Sequence, residues 1–216
     1  AETAAALTVE HPDYSYLAAR IKVNSLHKEA PGFIIATKNL YDDGLLREEY
    51  FKKVMENADA IESIIDYDKD YTFDYFALTT LIRAYLLKFD NRTIERPQDL
   101  WMRVTLTVTG NEFNLDKIKE TYKSLSSGMY THATPTLFNS GLKMQQLSSC
   151  FLIGMEDDSI EGIFNTIKDC ALISKTAGGI GMHAHNIRGS GSRIKSTNGK
   201  SNGLIPFLKI FNETAK

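Results

Sequence analysis

Cysteine is scarce in this chain of 216 residues: Cys150 and Cys170 are its only two thiols. Two cysteines cannot build a disulfide scaffold, and their surroundings fit a reducing compartment better than secretion. Charge of one sign is missing too, since 25 Lys and Arg stand against 27 Asp and Glu for a formal net charge of −2. With no basic field and no polybasic block, nucleic-acid polymers are excluded as partners, and nucleotides are the ligands to expect. No apolar run is long enough to span a bilayer and no secretory leader is evident, so the expectation is a cytoplasmic protein. In that setting Asn91-Arg92-Thr93 and Asn212-Glu213-Thr214 match a glycosylation signal by coincidence. Internal repeats and low-complexity segments are absent as well.

The 43% of hydrophobic residues is what a globular protein with a real core carries, in one large domain or two small ones. Residues 3 to 29 read as a helix broken at Pro12-Asp13 and ended by Pro31-Gly32, with Leu17, Ile21 and Leu26 at near-helical spacing. Helical spacing returns over 42–55 and 59–65, where the charges read as solvated faces. The aromatic group Tyr67, Tyr71, Phe73, Tyr75 and Phe76 reads as packed core ahead of a helical or extended segment over 78–87. A helix runs from Glu95-Arg96-Pro97-Gln98 through Trp101 to Val108, with Pro97 in the first turn where its missing N–H costs least. Another spans 116–126.

Beyond Thr136 the texture changes to short apolar runs between turns. A strand over 149–155, a helix over 159–176 and a strand over 181–187 make a βαβ unit. A polar loop rich in glycine and serine follows over 189–202, and a helix over 204–216. The boundary between the two textures falls near residue 145. The chain opens in a helical run without a start signal and closes in one without a stop signal, so both ends read as cut from something larger.

The stretch that carries chemistry runs from Thr131 to Arg188. Cys150 opens the apolar run Cys150-Phe151-Leu152-Ile153, which places its thiol at the end of a buried strand, a favoured location for reactive groups. Gly178 and Gly179 permit positive φ and a close backbone approach, so that successive N–H groups form a concavity for an anion, with the hydroxyls of Thr134 and Ser149 as added donors. Asp158 stands where it would cap the following helix. Lys175 and Arg188 flank the glycine-rich segment as phosphate-binding cations. His183 and His185 alternate on the second strand, but two such residues without a nearby carboxylate motif give no metal site. His132 reads as a hydrogen-bonded structural histidine, and Cys170 as a structural residue on the apolar face of its helix.

The words Ala133-Thr134-Pro135-Thr136-Leu137-Phe138-Asn139, Leu147-Ser148-Ser149-Cys150-Phe151, Asp157-Asp158-Ser159-Ile160-Glu161-Gly162-Ile163 and Thr197-Asn198-Gly199 with Ser201-Asn202-Gly203 closely resemble the large, catalytic subunit of class I ribonucleotide reductase of eukaryotic type. His11-Pro12-Asp13-Tyr14, Leu26-His27-Lys28-Glu29 and Glu95-Arg96-Pro97-Gln98 extend the resemblance over nearly the whole chain. It implies a mainly α chain with an α/β part: a helical N-terminal domain over 1–145, then over 146–216 the first βαβ portion of a ten-stranded α/β barrel. Most of that barrel would lie beyond Lys216, and most of a regulatory nucleotide-binding domain before residue 1.

The resemblance also implies an activity, the thiyl-radical reduction of ribonucleoside diphosphates to deoxyribonucleoside diphosphates for DNA precursor synthesis. Cys150 matches one of the reducing thiols; its disulfide partner and the radical-forming cysteine lie outside the chain, so the chain alone is expected to be inactive. Thr134, where relatives commonly carry Ser, together with Ser149, Gly178 and Gly179, matches the substrate site. Asp158, Ser159, Ile160, Lys175, Arg188, Lys195 and Ser196 match a site for allosteric dNTP or ATP effectors. At Lys195-Ser196 the chain departs from the small Ala-Gly that the family often has. Implied partners are a second copy in a homodimer, a small subunit whose di-iron centre supplies the radical, and a thioredoxin-like reductant; no cofactor is bound directly. Two other readings stay open on the residues: an adenosylcobalamin-dependent reductase sharing the barrel, and a nonredox nucleotide-binding or dimerisation module.

Overall fold

The computed structural model describes residues 1–176 and 178–215. The chain divides into two compact units, Ala1–Leu147 and Ser148–Lys216.

The first unit is helical. Helix α1 (Glu2–Ala6) passes through a 3-10 turn, Leu7–Val9, into α2 (Asp13–Glu29). Then come α3 (Phe33–Asp42), α4 (Glu48–Glu56) and α5 (Ala58–Glu62). The single helix expected over 42–55 is thus replaced by the end of α3, a turn and α4. Gly44 at φ +76° supplies the left-handed residue that closes α3, with Leu45 N–H donating to the Leu40 carbonyl at 3.0 Å. A 3-10 segment, Tyr67–Thr72, leads to α6 (Tyr75–Thr80), which relaxes into a π turn over Leu81–Tyr85.

A hairpin of β1 (Lys88–Phe89) and β2 (Arg92–Thr93) was not foreseen. Asp90 and Asn91 form its two-residue turn, both at positive φ (49° and 60°), the conformation that suits the twist of paired strands. Helices α7 (Pro97–Val108), α8 (Leu115–Ser126) and α9 (Thr134–Asn139) complete the unit.

Helix α7 is the axis of this unit, with every residue from Pro97 to Leu106 buried. Leu100, Met102, Val104 and Leu106 meet Leu40, Leu46, Val54, Ile61, Ile118 and Leu125 in one core. The polar residues of α7 are buried with their partners. Arg103 donates to both Glu95 carboxylate oxygens (2.6 and 3.1 Å) and to the carbonyls of Ser140 (2.8 Å) and Leu137 (3.1 Å). Asp99 accepts from Arg96 N–H (2.8 Å) and Tyr67 OH (2.7 Å), and burial pushes its carboxyl up to about 8. Gln98 links Tyr122 OH (2.8 Å) to Asp70, which also meets His27 at 2.7 Å.

Lys53 corrects the reading of the α4 charges as a solvated face. It is buried and donates to the Leu106 (2.9 Å) and Gly110 (2.6 Å) carbonyls at the C-terminal end of α7, where a cation complements the helix dipole. In the aromatic group, Tyr67 and Tyr71 pack edge-on to His27 and Phe73 joins the core, but Phe76 is 79% exposed.

The second unit is one βαβ element with an added helix: β3 (Cys150–Gly154), α10 (Ile160–Ser174), β4 (Gly179–His183) and α11 (Ile205–Thr214). The strands pair in parallel, from Cys150 opposite Gly179 to Gly154 opposite His183. Strand β4 begins two residues before the expected 181 and ends four before 187. The expected end of the last helix at Lys216 lies outside the described residues.

Phe151, Ile153, Ile180 and Met182 alternate onto the half-buried face, and Ile153, Ile180 and Met182 pack with Ile163, Cys170 and Phe211. Cys150, Leu152, Gly154, Gly179, Gly181 and His183 form the opposite face, which is exposed; Leu152 is 94% accessible. Cys150 therefore stands on an open strand face rather than in a buried strand.

Candidate functional site

Helix α10 starts at Ser159, whose hydroxyl oxygen accepts from Gly162 N–H at 2.9 Å and donates to the Asp157 carboxylate. Ser159, not Asp158, is the N-cap, which leaves the Asp158 carboxylate for another partner. That partner is Arg188, whose Nε lies 2.5 Å from Asp158 Oδ2 while Nη2 donates to the Asp158 carbonyl at 3.1 Å. The contact ties the start of α10 to the segment after β4. Gly162 is required here: a Cβ at this position would lie 2.8 Å from the Asp157 backbone nitrogen.

The segment over 189–202 is not an open loop. Arg193 pairs with Lys200 in an antiparallel bridge, closed by Ile194 N–H to the Gly199 carbonyl (2.8 Å) and Ser201 N–H to the Ser192 carbonyl (2.8 Å), with Asn198 at φ 55° in the turn. Gly203 returns the chain at φ 77°, where a Cβ would sit 2.9 Å from Ser190 N.

Between this hairpin and the N-terminus of α10 lies a cavity of about 750 Å³. Asp158, Ser159, Ile160, Arg188, Lys195 and Ser196 all line it. Ile163, Ile187, Ile194 and Phe207 supply an apolar wall, and Arg193 a further cation. Helix α10 presents its N-terminal dipole there. Three cations face one carboxylate, so the cavity suits an anion that also carries an apolar or aromatic part.

Lys175 is not in this group. It is the exposed C-cap of α10, and the 15-residue helix carries it about 22 Å from the cavity end. Reading Lys175 and Arg188 as a flanking pair treated sequence proximity to the glycines as spatial proximity. Arg193 was missed, although its i, i+2 spacing from Lys195 on an extended arm puts both side chains on one side.

The thiol site has a different character. Cys150 begins β3 opposite Gly179, and a Cβ on Gly179 would stand 3.6 Å from Cys150 Sγ. Gly179 and Gly181 adopt no positive φ. What they provide is room: a Cβ on Gly181 would lie 2.8 Å from Leu152 Cδ2, and one on Gly178 would lie 2.6 Å from Ile173 Cγ2. Their N–H groups do not form an open anion concavity, since Gly179 N–H donates to the Ser149 carbonyl (2.7 Å) and Gly178 N–H to the Ile173 carbonyl (3.2 Å).

Ser149 is exposed beside Cys150. In the first unit, Thr134 opens α9, half-buried, with its hydroxyl 3.4 Å from Tyr85 OH. Cys170 is buried, and desolvation pushes its thiol up, which suits a packing residue. His132 packs edge-on to Tyr130, but its buried Nε2 has no partner among the described residues, so the hydrogen-bonded role expected for it is not met there; burial lowers its pKa. The His183 and His185 rings stack with centroids 4.0 Å apart. Among the described residues, no three or more His, Cys, Asp or Glu cluster as metal ligands, and no helix is long and apolar enough to cross a membrane.

Comparison with known proteins agrees with the division of the chain. Residues 71–145 match the all-alpha domain of ribonucleotide reductase, and 148–216 match its barrel domain. Over its full length the chain is 48% identical to the ribonucleoside-diphosphate reductase large subunit of Arabidopsis thaliana, covering 28% of that protein, and 48% identical to the large chain 2 of Saccharomyces cerevisiae, covering 26%. A similar protein from Caenorhabditis elegans is 47% identical, with 28% covered. The chain thus spans little more than a quarter of the length of the curated relatives it matches.

Proposed function

Because the chain belongs to the ribonucleotide reductase large-subunit family, with that family's all-alpha domain followed by the start of its barrel domain, we propose that it is the effector-binding and first redox portion of a ribonucleoside-diphosphate reductase. The whole enzyme replaces the ribose 2′-hydroxyl of a nucleoside diphosphate with hydrogen. Two thiols close into a disulfide, the C2′–O bond breaks, and the hydroxyl leaves as water with a proton from a thiol. The radical that starts the reaction comes from a di-iron small subunit, and a thioredoxin-like protein reduces the disulfide afterwards.

Cys150 is the thiol this chain contributes. Its exposure on the open face of β3, and the absence of a side chain on Gly179 beside it, leave space for a sugar to approach. Cys170 is not its disulfide partner, because it is buried on the other side of the sheet, within the α10 packing. Ser149 donates a hydroxyl to the substrate diphosphate, and Gly178 and Gly179 serve by leaving room, since their N–H groups are already bonded. Thr134, in the first unit, keeps its assignment as a substrate contact from the Ala133–Asn139 motif.

The cavity at the start of α10 is the effector site for dNTP or ATP. The observation that carries this is the convergence of Asp158, Ser159, Ile160, Arg188, Lys195 and Ser196 on one cavity. Lys175 lies outside it and reaches an effector only as a contribution from a second copy. Ile160 (67% exposed), Phe164 and Leu172 on α10, with Ile205 on α11, present the apolar face through which such a homodimer packs. The compartment is cytoplasmic.

Calorimetric titration with dTTP tests the reading, comparing the unmodified chain with Asp158→Ala and Arg188→Ala. Binding by the unmodified chain that both substitutions abolish is the expected result. Equal dTTP affinity in all three proteins would remove the effector site from this cavity.

A further inference from the structure

Arg188 is held by Asp158 through two contacts. The uncompensated positive charge therefore comes from the hairpin over 189–202. That segment carries Arg193, Lys195 and Lys200 and contains no acidic residue. Among the described residues, none of the three makes an ion pair. Arg193 and Lys200 stand directly opposite each other across the bridge, where like charges repel. Arg193 and Lys195, two residues apart on one arm, both reach the cavity wall.

From this geometry we infer that Arg193 and Lys195 form a phosphate clamp, which binds the polyphosphate chain of the effector. The inference rests on the effector reading of the cavity and goes beyond it. It assigns the outer phosphates to the hairpin cations, and leaves the Asp158–Arg188 pair to hold the start of α10 against the segment after β4 and to meet the sugar end of the effector. An anion lying between Arg193 and Lys195 also offsets the Arg193–Lys200 repulsion, so binding supports the paired hairpin. The Lys195-Ser196 departure from Ala-Gly then has a function: it adds a cation where relatives with that pair offer only backbone.

Titration of the chain with inorganic tripolyphosphate, dTTP and dTMP at low salt tests the clamp, using the unmodified protein, Arg193→Gln, Lys195→Gln and the charge-preserving Lys195→Arg. Each Gln variant is expected to weaken tripolyphosphate and dTTP by about fivefold while leaving dTMP nearly unchanged, and Lys195→Arg to restore binding. Circular dichroism identical to the unmodified chain shows that folding is not the cause. Tripolyphosphate that fails to bind the unmodified chain, or binds the Gln variants equally well, overturns the clamp. If dTTP nevertheless binds all variants alike, the effector reading survives and the clamp alone falls. If tripolyphosphate responds as expected while dTTP binds no better than tripolyphosphate, the clamp stands and the nucleotide reading falls.

Discussion

Replacing Arg103 with Met tests whether the polar centre of the helical unit is a stabilising network or an incidental one. Met fills much of the same volume but carries no donors. Arg103 is 2% exposed and makes four hydrogen bonds, two to Glu95 and one each to the Leu137 and Ser140 carbonyls. Without it, Glu95 keeps only the Leu87 N–H at 2.9 Å, and two carbonyls lose a donor in a dry interior. Stranding one partner of a buried ion pair costs about 3–5 kcal/mol, and at about 2–4 °C per kcal/mol for a unit of this size the melting midpoint should fall by roughly 6–20 °C. The only tryptophan, Trp101, sits on α7 two residues before Arg103, so its fluorescence reports this unit separately from the βαβ unit. The double variant Glu95→Gln/Arg103→Met removes the stranded charge while keeping an acceptor for Leu87 N–H. It should recover about 2 kcal/mol of the loss, the coupling typical of contacting residues. A cost under about 1 kcal/mol for Arg103→Met, against that expected loss, would refute the reasoning.

Asp99 binds its proton more tightly when folded, with its carboxyl near 8 against 3.8 for the free side chain, so the unit should lose stability as pH rises between those values and level off above. Urea melts at pH 5 and pH 8.5 should show a much smaller difference in Asp99→Asn than in the unmodified chain; an equal difference would exclude Asp99 as the cause. Gly162→Ala should destabilise the βαβ unit, although Ala in a helix interior normally gains about 1 kcal/mol over Gly, because the new Cβ lies 2.8 Å from the Asp157 backbone nitrogen; a higher melting midpoint in this variant would contradict the geometry. Asp158→Ala should act with opposite signs on two ligands. It removes the only carboxylate among the described residues lining the cavity and so tightens tripolyphosphate, yet weakens dTTP by taking away an acceptor for the sugar hydroxyl; titrations in which both ligands shift in the same direction would count against that division of roles.

Helices with local signals were legible from sequence. Pro97 in the first turn marked α7, apolar spacing marked α8, and the break at Pro12 separated α1 from α2. The hairpin at Asp90-Asn91 was missed because strands of two residues carry no alternation, and only the positive φ of the turn pair gives it away. Lys53 read as a surface charge because its spacing among Glu and Lys residues is that of an exposed face. Its burial follows from the C-terminal end of α7, more than 50 positions away, which no local pattern encodes. The glycines before and within β4 were read through φ, whereas their need is packing against Phe151, Ile173 and Leu152, a requirement set by strand pairing. Six of the residues expected to bind an effector line one cavity because they lie at one end of α10 and on the segment it faces. Lys175 does not, because helical rise separates residues that a sequence window keeps close.

The chain uses the same chemical pair twice for different ends. In Glu95–Arg103, four bonds satisfy the guanidinium and a backbone N–H adds a donor to the carboxylate, all within 3% exposure; such a pair has nothing left to offer a ligand and serves the fold. In Asp158–Arg188, both contacts of the guanidinium go to a single residue, and the side chains remain 28% and 35% exposed beside a cavity. A partly solvated pair is worth little in stability, typically about 0–1 kcal/mol, so exchanging part of it for a ligand contact costs the protein little. That difference in closure, not in residue type, is what makes one pair part of a core and leaves the other open to a ligand in the cavity beside it. It also separates two motifs that both place an acid near the start of a helix: Asp158-Ser159-Ile160 lines a cavity, whereas Glu95-Arg96-Pro97 is closed within the core.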